Sequence, residues 1–359
     1  MGEWKEYKLG EIISFGNGKV RPRENGNIPV YGGNGVLDYC NSYNYNGETI
    51  IIGRVGAYCG SVYYENRPIW ISDNALAVKP KSGYSAKFIY YLLKNLRLND
   101  YAEGSSHPLI TQTLLNAIDV LFVNDIKEQN RIVSILSPLD DKIDLLHQEN
   151  KTLEAMAETL FRKWFIEDAK EEWEDGIISD LIDFNPRRKL SKGNKSPFLE
   201  MSNLKTSTYC PITWRDREFM SGTKFINGDA LLARITPCLE NGKTAYVDFL
   251  EEGQVGWGST EFIVMRAKHG LHPFFSYIIA KYQDFRDFAE SCMAGSSGRQ
   301  RVDINNLMNY EIKIPEKKVI DIFNHSINYM VTKMHNNNDE IYSLTQMRNI
   351  LSFKLMNNE

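Results

Sequence analysis

The sequence predicts an α+β chain of two similar domains, separated by two long helices that pack as an antiparallel coiled coil with pseudo-two-fold symmetry. Short motifs recur once along the 359 residues at a nearly constant separation. Each copy is followed by apolar residues at heptad spacing, which is typical of a long helix with one buried stripe. We therefore place domain 1 at 1–124, helix 1 at 125–168, domain 2 at 169–315 and helix 2 at 316–359.

The internal repeat is visible in several pairs of segments. Gly47-Glu-Thr-Ile-Ile-Ile is followed 181 residues later by Gly228-Asp-Ala-Leu-Leu-Ala. Ser72-Asp-Asn and Ser259-Thr-Glu differ by 187, and Gly104-Ser-Ser and Gly295-Ser-Ser by 191. Separations that stay within ten residues indicate a duplication with small loop insertions.

Within each copy, β-branched and aromatic runs between Gly-rich turns predict short strands. In domain 1 these runs are 49–52, 61–64, 75–78 and 120–123. In domain 2 they are 230–233, 244–247, 261–265 and 310–314. A helix is predicted at 86–96, with 273–282 as its counterpart.

The two linking helices carry seams that step alternately by three and four residues. The first seam consists of Ile132, Leu136, Leu139, Ile143, Leu146, Asn150, Leu153, Ala157, Leu160 and Trp164. The second consists of Ile320, Phe323, Ile327, Met330, Met334, Asn337, Ile341, Leu344, Arg348, Leu351 and Leu355. About 35 residues at roughly 1.5 Å each give rods of roughly 50 Å. We expect Pro138 to bend the first helix without ending it; two ordinary amphipathic core helices remain the alternative.

Charge and composition restrict the classes of function. With 42 basic and 46 acidic residues the chain is not a globally basic nucleic-acid binder. The acidity lies in 125–175, however, and the blocks 1–124 and 176–315 are slightly positive, so either block could meet a polyanion. The sequence shows neither a bilayer-spanning apolar run nor a signal-peptide core. Five scattered cysteines predict free thiols in a reducing cytoplasm.

A search for catalytic motifs predicts no catalytic residue, no metal site and no cofactor in this chain. The turn Gly32-Gly33-Asn34-Gly35 lacks the spacing and the following helix of a dinucleotide-binding loop. Asn185-Pro186-Arg187-Arg188 lacks the aromatic residue that would stack on a flipped base. The six histidines have no metal-ligand spacing.

Residues suited to DNA contacts do occur, and some occur in duplicate. Arg54 and Arg234 follow matching strands, and arginine offers a planar fork for guanine. Lys19, Lys189 and Lys192 are further basic candidates, although a single basic residue is more often a solvated surface charge. The predicted DNA-binding residues are Arg21, Arg23, Arg54, Ser105, Ser106, His107, Arg187, Arg188, Arg234, Ser296, Ser297, Arg299 and Arg301.

Taken together, these segments resemble the specificity (S) subunit of type I restriction–modification systems over nearly the whole chain. The residues that carry the resemblance are Trp4-Lys-Glu-Tyr-Lys-Leu-Gly-Glu-Ile, Ile28-Pro-Val-Tyr-Gly-Gly-Asn-Gly, Glu128-Gln-Asn-Arg-Ile-Val and Leu160-Phe-Arg-Lys-Trp-Phe. The second half departs from the pattern, because Ile314-Pro-Glu-Lys-Lys lacks the Glu-Gln pair.

The resemblance implies a non-catalytic cytoplasmic subunit whose two target-recognition domains each read half of a split DNA site. It implies helices that set the distance between those domains and dock two modification subunits. Those partners would bind S-adenosylmethionine and methylate adenine N6; two restriction subunits using ATP and Mg²⁺ are a further possibility. A stand-alone DNA methyltransferase or nuclease, and a protein scaffold with no DNA role, are the alternatives.

Overall fold

The computed structural model describes residues 2–81, 83–104, 108–296 and 298–358. The chain forms two compact units. Unit 1 comprises Met1–Ile143 and Ser343–Glu359, and unit 2 comprises Asp144–Tyr342. Both boundaries fall inside the long helices, so each unit contains a part of both helices.

The strands are short, and most begin or end at a glycine, a proline or a polar residue. In unit 1 they are β1 Trp4–Lys8, β2 Ile13–Asn17, β3 Asn25–Gly32, β4 Gly35–Cys40, β5 Thr49–Gly53, β6 Val62–Glu65, β7 Trp70–Ile71, β8 Ala75–Pro80 and β9 Asp119–Val123. In unit 2 they are β10 Glu174–Ile177, β11 Ile182–Phe184, β12 Lys195–Leu199, β13 Arg215–Glu218, β14 Thr223–Phe225, β15 Ala230–Ala233, β16 Thr244–Tyr246, β17 Gly256–Gly258, β18 Phe262–Ala267, β19 Met293–Ala294, β20 Arg301–Val302 and β21 Glu311–Ile314.

The helices comprise short segments in each unit and two long ones. They are α1 Leu9–Ile12, α2 Ala86–Asn95, α3 Gln112–Ala117, α4 Ile126–Phe161, α5 Ile178–Leu181, α6 Phe274–Lys281, α7 Gln283–Ser291, α8 Ile304–Leu307 and α9 Lys317–Met356. A π-helical turn, Arg162–Glu167, continues α4. Pro138 lies inside α4 and does not end it. In the described part of the chain, no helix is long and apolar enough to cross a membrane.

Both units are built on the same sheet plan, which confirms the predicted duplication. A four-stranded sheet has the order β2-β8-β5-β6 in unit 1 and β11-β18-β15-β16 in unit 2. The third strand in each order is wholly buried: β5 contains the run Thr-Ile-Ile-Ile and β15 is Ala-Leu-Leu-Ala. A second small sheet contains a parallel pair, β3 with β7 in unit 1 and β12 with β17 in unit 2.

The start of α4 explains the Glu-Gln pair in physical terms. The Asp125 carboxylate accepts a hydrogen bond from the Lys127 amide and caps the helix. The buried Gln129 side chain donates to the Val123 carbonyl at 2.7 Å and accepts from the Ser85 amide at 2.8 Å. One amide therefore joins the end of β9, the start of α2 and the first turn of α4.

In unit 2 the helices α4 and α9 pack antiparallel. Asn150 and Asn337 share an amide–amide hydrogen bond of 2.8 Å, and further along α4 the Trp164 ring meets Phe323 at 6.3 Å. The residue numbers of the contacting positions therefore decrease along α9 as they increase along α4, which is the antiparallel arrangement. In unit 1 the Asp140 carboxylate pairs with Arg348 at 2.7 Å. Here the apolar contacts join Ile132 and Leu136 of α4 to Leu351, Leu355 and Met356 of α9 in one core.

Every residue of the two predicted seams is buried or half-buried. The set that we single out for helix packing includes Leu139, Ile143, Leu146, Leu153, Leu160, Ile327, Met334, Ile341 and Leu344 besides those already described. The two buried asparagines Asn150 and Asn337 lie at seam positions and share one hydrogen bond. Asn150 also donates to Asn338 and Asn337 also donates to Glu149, each at 3.0 Å, so both buried amides are hydrogen-bonded.

We expect Asn150→Leu to lower the free energy of unfolding by about 1–3 kcal/mol, because the buried Asn337 amide then loses one of its two acceptors and retains Glu149. The double variant Asn150→Leu/Asn337→Leu should recover part of that loss. Urea denaturation followed by circular dichroism measures both. Gln148→Leu, at an exposed position on the same helix, is the matched control. A double variant less stable than the single one would contradict the pairing argument.

Candidate nucleic-acid interface

Arg54 and Arg234 occupy equivalent backbone positions, directly after the central strands β5 and β15. The Arg54 amide donates to the Asn74 carbonyl at 2.9 Å, and the Arg234 amide donates to the Glu261 carbonyl at 2.8 Å. On the other side, the Ile110 amide donates to the Arg54 carbonyl, as the Val302 amide does to the Arg234 carbonyl. The repeat thus presents one arginine at the same structural point in each unit.

The two guanidinium groups nevertheless have different surroundings. In unit 2, Arg234 Nε donates to the Val302 carbonyl at 3.0 Å. In unit 1, Arg54 Nε is buried and has no hydrogen-bond partner among the residues that the structure describes. A buried unpaired N–H costs free energy, so an incoming acceptor beside Arg54 would relieve that cost.

Among the other predicted DNA-binding residues in unit 2, the Arg301 side chain is already engaged by a protein group. It binds Glu261 through two of its nitrogens at 2.7–3.0 Å. Ser296 and Arg299 are exposed, and the Arg299 main-chain amide donates to the Ser296 carbonyl at 3.0 Å. The predicted residues Ser105, Ser106, His107 and Ser297 lie outside the described residues.

The exposed basic candidates lie at the surface of their own units. In unit 1, Arg21 pairs with Asp38 at 3.2 Å, and Lys19 and Arg23 are exposed. In unit 2, the exposed basic candidates are Arg187, Lys189, Lys192, Arg299 and the Glu261-bound Arg301. These residues place positive charge at the surface, where it could contact the phosphates of a polyanion.

Arg188 is held differently from its neighbour. It is mostly buried and contacts the fully buried Asp229 at 3.2 Å, and Arg266 contacts the same carboxylate at 3.0 Å. Burial raises the pKa of the Asp229 carboxyl, while the Ile226 amide and the two arginines act in the opposite direction. The geometry gives Arg188 a structural role, and its contact with DNA stays a prediction.

We expect Arg188→Ala to lower the stability of unit 2 by about 1–3 kcal/mol, because the buried Asp229 carboxylate then loses one of the two arginines paired with it. Arg187→Ala removes the same charge from the adjacent exposed position and should leave the melting temperature unchanged. Differential scanning calorimetry of both variants distinguishes the two roles. Equal melting temperatures for the two variants would reject the structural role of Arg188.

Sequence reasoning missed a group of exposed large side chains, because aromatic residues were interpreted as strand packing. In unit 1, Tyr39, Tyr43 and Tyr58 are exposed, together with Val20 and Leu37. In unit 2 the exposed large residues include Ile212, Trp214 and Met220. Strand alternation would not have identified the exposed side chains of β4, because its pairing with β3 is irregular between Val36 and Asp38, and Val36 and Leu37 are both exposed.

The remaining expectations for chemistry concern metals and thiols. Within the described ranges, no cluster of three or more His, Cys, Asp or Glu side chains could hold a metal ion. All five cysteines are free thiols, and four of them are buried. Burial raises the pKa of the Cys210 thiol well above its usual range.

Comparison with known proteins decides the family. Residues 1–155 and 170–343 match the model for the type I restriction modification DNA specificity domain. The chain belongs to that family. The two matches cover most of the sequence and fall one on each copy of the repeat, as a specificity-domain pair requires.

Individual relatives of this specificity-domain chain agree with the family. It is 31% identical over 140 residues to the type I restriction enzyme EcoprrI specificity subunit of Escherichia coli, covering 39% of this chain and 35% of that protein. It is 24% identical over 208 residues to the MjaIX specificity subunit of Methanocaldococcus jannaschii, covering 50% of this chain and 48% of that protein. The matches thus span a third to a half of these relatives.

A solved structure supports the fold. The crystal structure of the type I restriction-modification system S subunit from M. genitalium superposes with a TM-score of 0.56 at 16% identity. The superposition covers 99% of this chain and 96% of that one. The likeness in fold therefore extends over nearly the whole length of both chains.

Proposed function

We propose that this chain is the non-catalytic DNA-reading subunit of a type I restriction–modification complex, and that each unit reads one half of a bipartite site. The single observation that carries the proposal is the repeated scaffold, which presents Arg54 and Arg234 at the same point of two equivalent sheets. Arginine is the commonest reader of guanine in the major groove. Two copies of one reading surface suit a site made of two halves.

We further propose that the helices dock two modification subunits, which bind S-adenosylmethionine and methylate adenine N6. Support comes from apolar side chains that α9 leaves exposed, since exposed apolar patches mark interaction surfaces. In unit 1 they are Met347, Ile350 and Phe353, and in unit 2 they are Ile322, Tyr329 and Tyr342. Two restriction subunits with ATP and Mg²⁺ would complete the complex, in the cytoplasm where its DNA lies.

In this proposal the partner subunits carry out methylation and cleavage, and this chain binds no cofactor. A methyl-transfer assay on the purified chain alone separates it from a stand-alone methyltransferase. Salt-dependent duplex binding in complex with a methyltransferase separates it from a protein scaffold, because phosphate contacts release counterions.

The direct test exchanges residues 177–315 for the corresponding block of a related specificity subunit. We expect one half of the methylated motif to change while the other half and the gap between them stay the same. Sequencing that detects N6-methyladenine in genomic DNA gives the motif. A change in both halves together, or in neither, is incompatible with one half-site per unit.

At the level of single residues, we expect Arg54→Ala to weaken recognition of one half-site and Arg234→Ala that of the other. Each loss should be about 1–3 kcal/mol if the guanidinium reads a base. Competition binding with duplexes altered in one half measures it, and Arg67→Ala, at a residue paired with Glu65 in unit 1, is the control. Equal losses on random duplex would reduce both arginines to phosphate contacts.

A further inference from the structure

The tip of the β3–β4 hairpin is a tight, exposed turn in unit 1. The two strands pair as far as Gly32 and Gly35, so Gly33 and Asn34 form the whole connection. Gly35 has a φ of +81°, a conformation that favours glycine. Strand β4 lies at the edge of its sheet, and Asn34 is exposed. The hairpin therefore presents one amide side chain at its tip, just beyond the point where β7 pairs with Tyr31 of β3.

This tip lies directly against the backbone around Arg54. A Cβ atom placed on Gly33 would be 3.1 Å from the Val55 carbonyl oxygen and 3.6 Å from that of Asn74, which accepts the Arg54 amide. A Cβ atom on Gly53 would be 2.5 Å from the Gly33 carbonyl oxygen. Two glycines thus allow a backbone approach that brings the tip beside the arginine.

Unit 2 lacks an equivalent of this tip. The strand that corresponds to β3 is β12, and residues 200–214 connect it to β13 in place of a two-residue turn. In that connection, the Asn203 side chain accepts from the Glu200 amide at 2.6 Å and donates to the Thr213 carbonyl at 3.0 Å. The Asn203 amide is therefore hydrogen-bonded within its own loop, whereas the Asn34 side chain is exposed.

From this juxtaposition we infer that Asn34 reads a base edge in the first half-site, next to the position contacted by Arg54. The exposed Asn34 is the part of the tip that can approach the major groove, where an asparagine amide can bind the N6 and N7 atoms of adenine together. The exposed Asp73 adjoins Asn74 in the neighbouring turn and would repel a phosphate. The tip is therefore suited to a base edge rather than to the DNA backbone. This inference rests on the proposed function and adds a specificity-determining residue to it.

The test replaces the chromosomal copy in the source cell by Asn34→Ala, Asn34→Asp and Asn34→Gly, and maps N6-methyladenine across the genome. We expect one position of one half-site to become degenerate, with discrimination at that position reduced by roughly 5- to 150-fold. The other half-site should be unchanged. Asn27→Ala and Asn27→Asp are matched controls. Asn27 is an exposed asparagine of β3, the strand that leads to the tip, and it lies near the other end of that strand.

The possible outcomes separate this inference from the proposed function. If deleting the gene leaves every methylated bipartite motif in place, the proposed function is wrong. If deletion removes such a motif while all three Asn34 variants keep each of its positions, the reading role of Asn34 is wrong and the proposed function stands. Asn34→Gly keeps a residue suited to the turn. Complete loss of methylation in that variant, with normal Asn27 controls, would likewise contradict selective reading of one position.

Discussion

The need to bury the apolar faces of two long helices constrains this molecule more than any other feature. The helices α4 and α9 have 36 and 40 residues, and single helices cannot bury such stripes in water. In unit 2, α4 contributes Ala157 and Phe161 and α9 contributes Phe323 and Ile327 to one core with the domain around them. In unit 1, Ile132 and Leu136 join the domain core in the same way. The helices are therefore part of both folded units rather than linkers outside them.

Polar groups buried in unit 2 extend this coupling from the helices into the domain. The Asn338 side chain of α9 donates to the Tyr209 hydroxyl at 2.9 Å, and Tyr209 donates to Asp248 at 2.8 Å. Cys210 donates to the same carboxylate. Asp248 also raises the pKa of His335, which lies on α9. Such a chain is favourable only when every member is satisfied, so it links the register of α9 to the position of the loop that carries Tyr209.

Local periodicity explains which parts of the fold the sequence could predict. The strands β5, β8, β15 and β18 are continuous apolar runs, and the helix seams repeat over many heptads, so both were predicted close to their observed bounds. The second small sheets were missed. Their strands contain Pro29 and Pro197, or consist of Gly256-Trp257-Gly258, or have the two residues Trp70–Ile71. Such strands form because tertiary pairing stabilises them, and their local sequence pattern does not predict a strand.

In the candidate site, too, the sequence could predict features set by the local chain but not contacts between residues that are distant in sequence. The repeat placed Arg54 and Arg234 at equivalent points, because a duplicated backbone keeps its strand ends in register. It could not show that Glu261 holds Arg301 or that Asp229 holds Arg188, since those partners are about 40 residues away in sequence. The positions equivalent to Glu261 and Arg301 in unit 1 are Asn74 and Leu109, which cannot form an ion pair.

A shared backbone with divergent side chains is what a reader of two different half-sites needs. The hydrogen bonds around Arg54 and Arg234 fix where each arginine leaves the sheet, and these bonds involve main-chain atoms that substitutions do not remove. The side chains beside them are then free to differ, as the hairpin tip of unit 1 and the Glu261–Arg301 pair of unit 2 do. Base contacts specify sequence while the scaffold positions them, so under the proposed function this arrangement would allow one half-site to change without loss of the other.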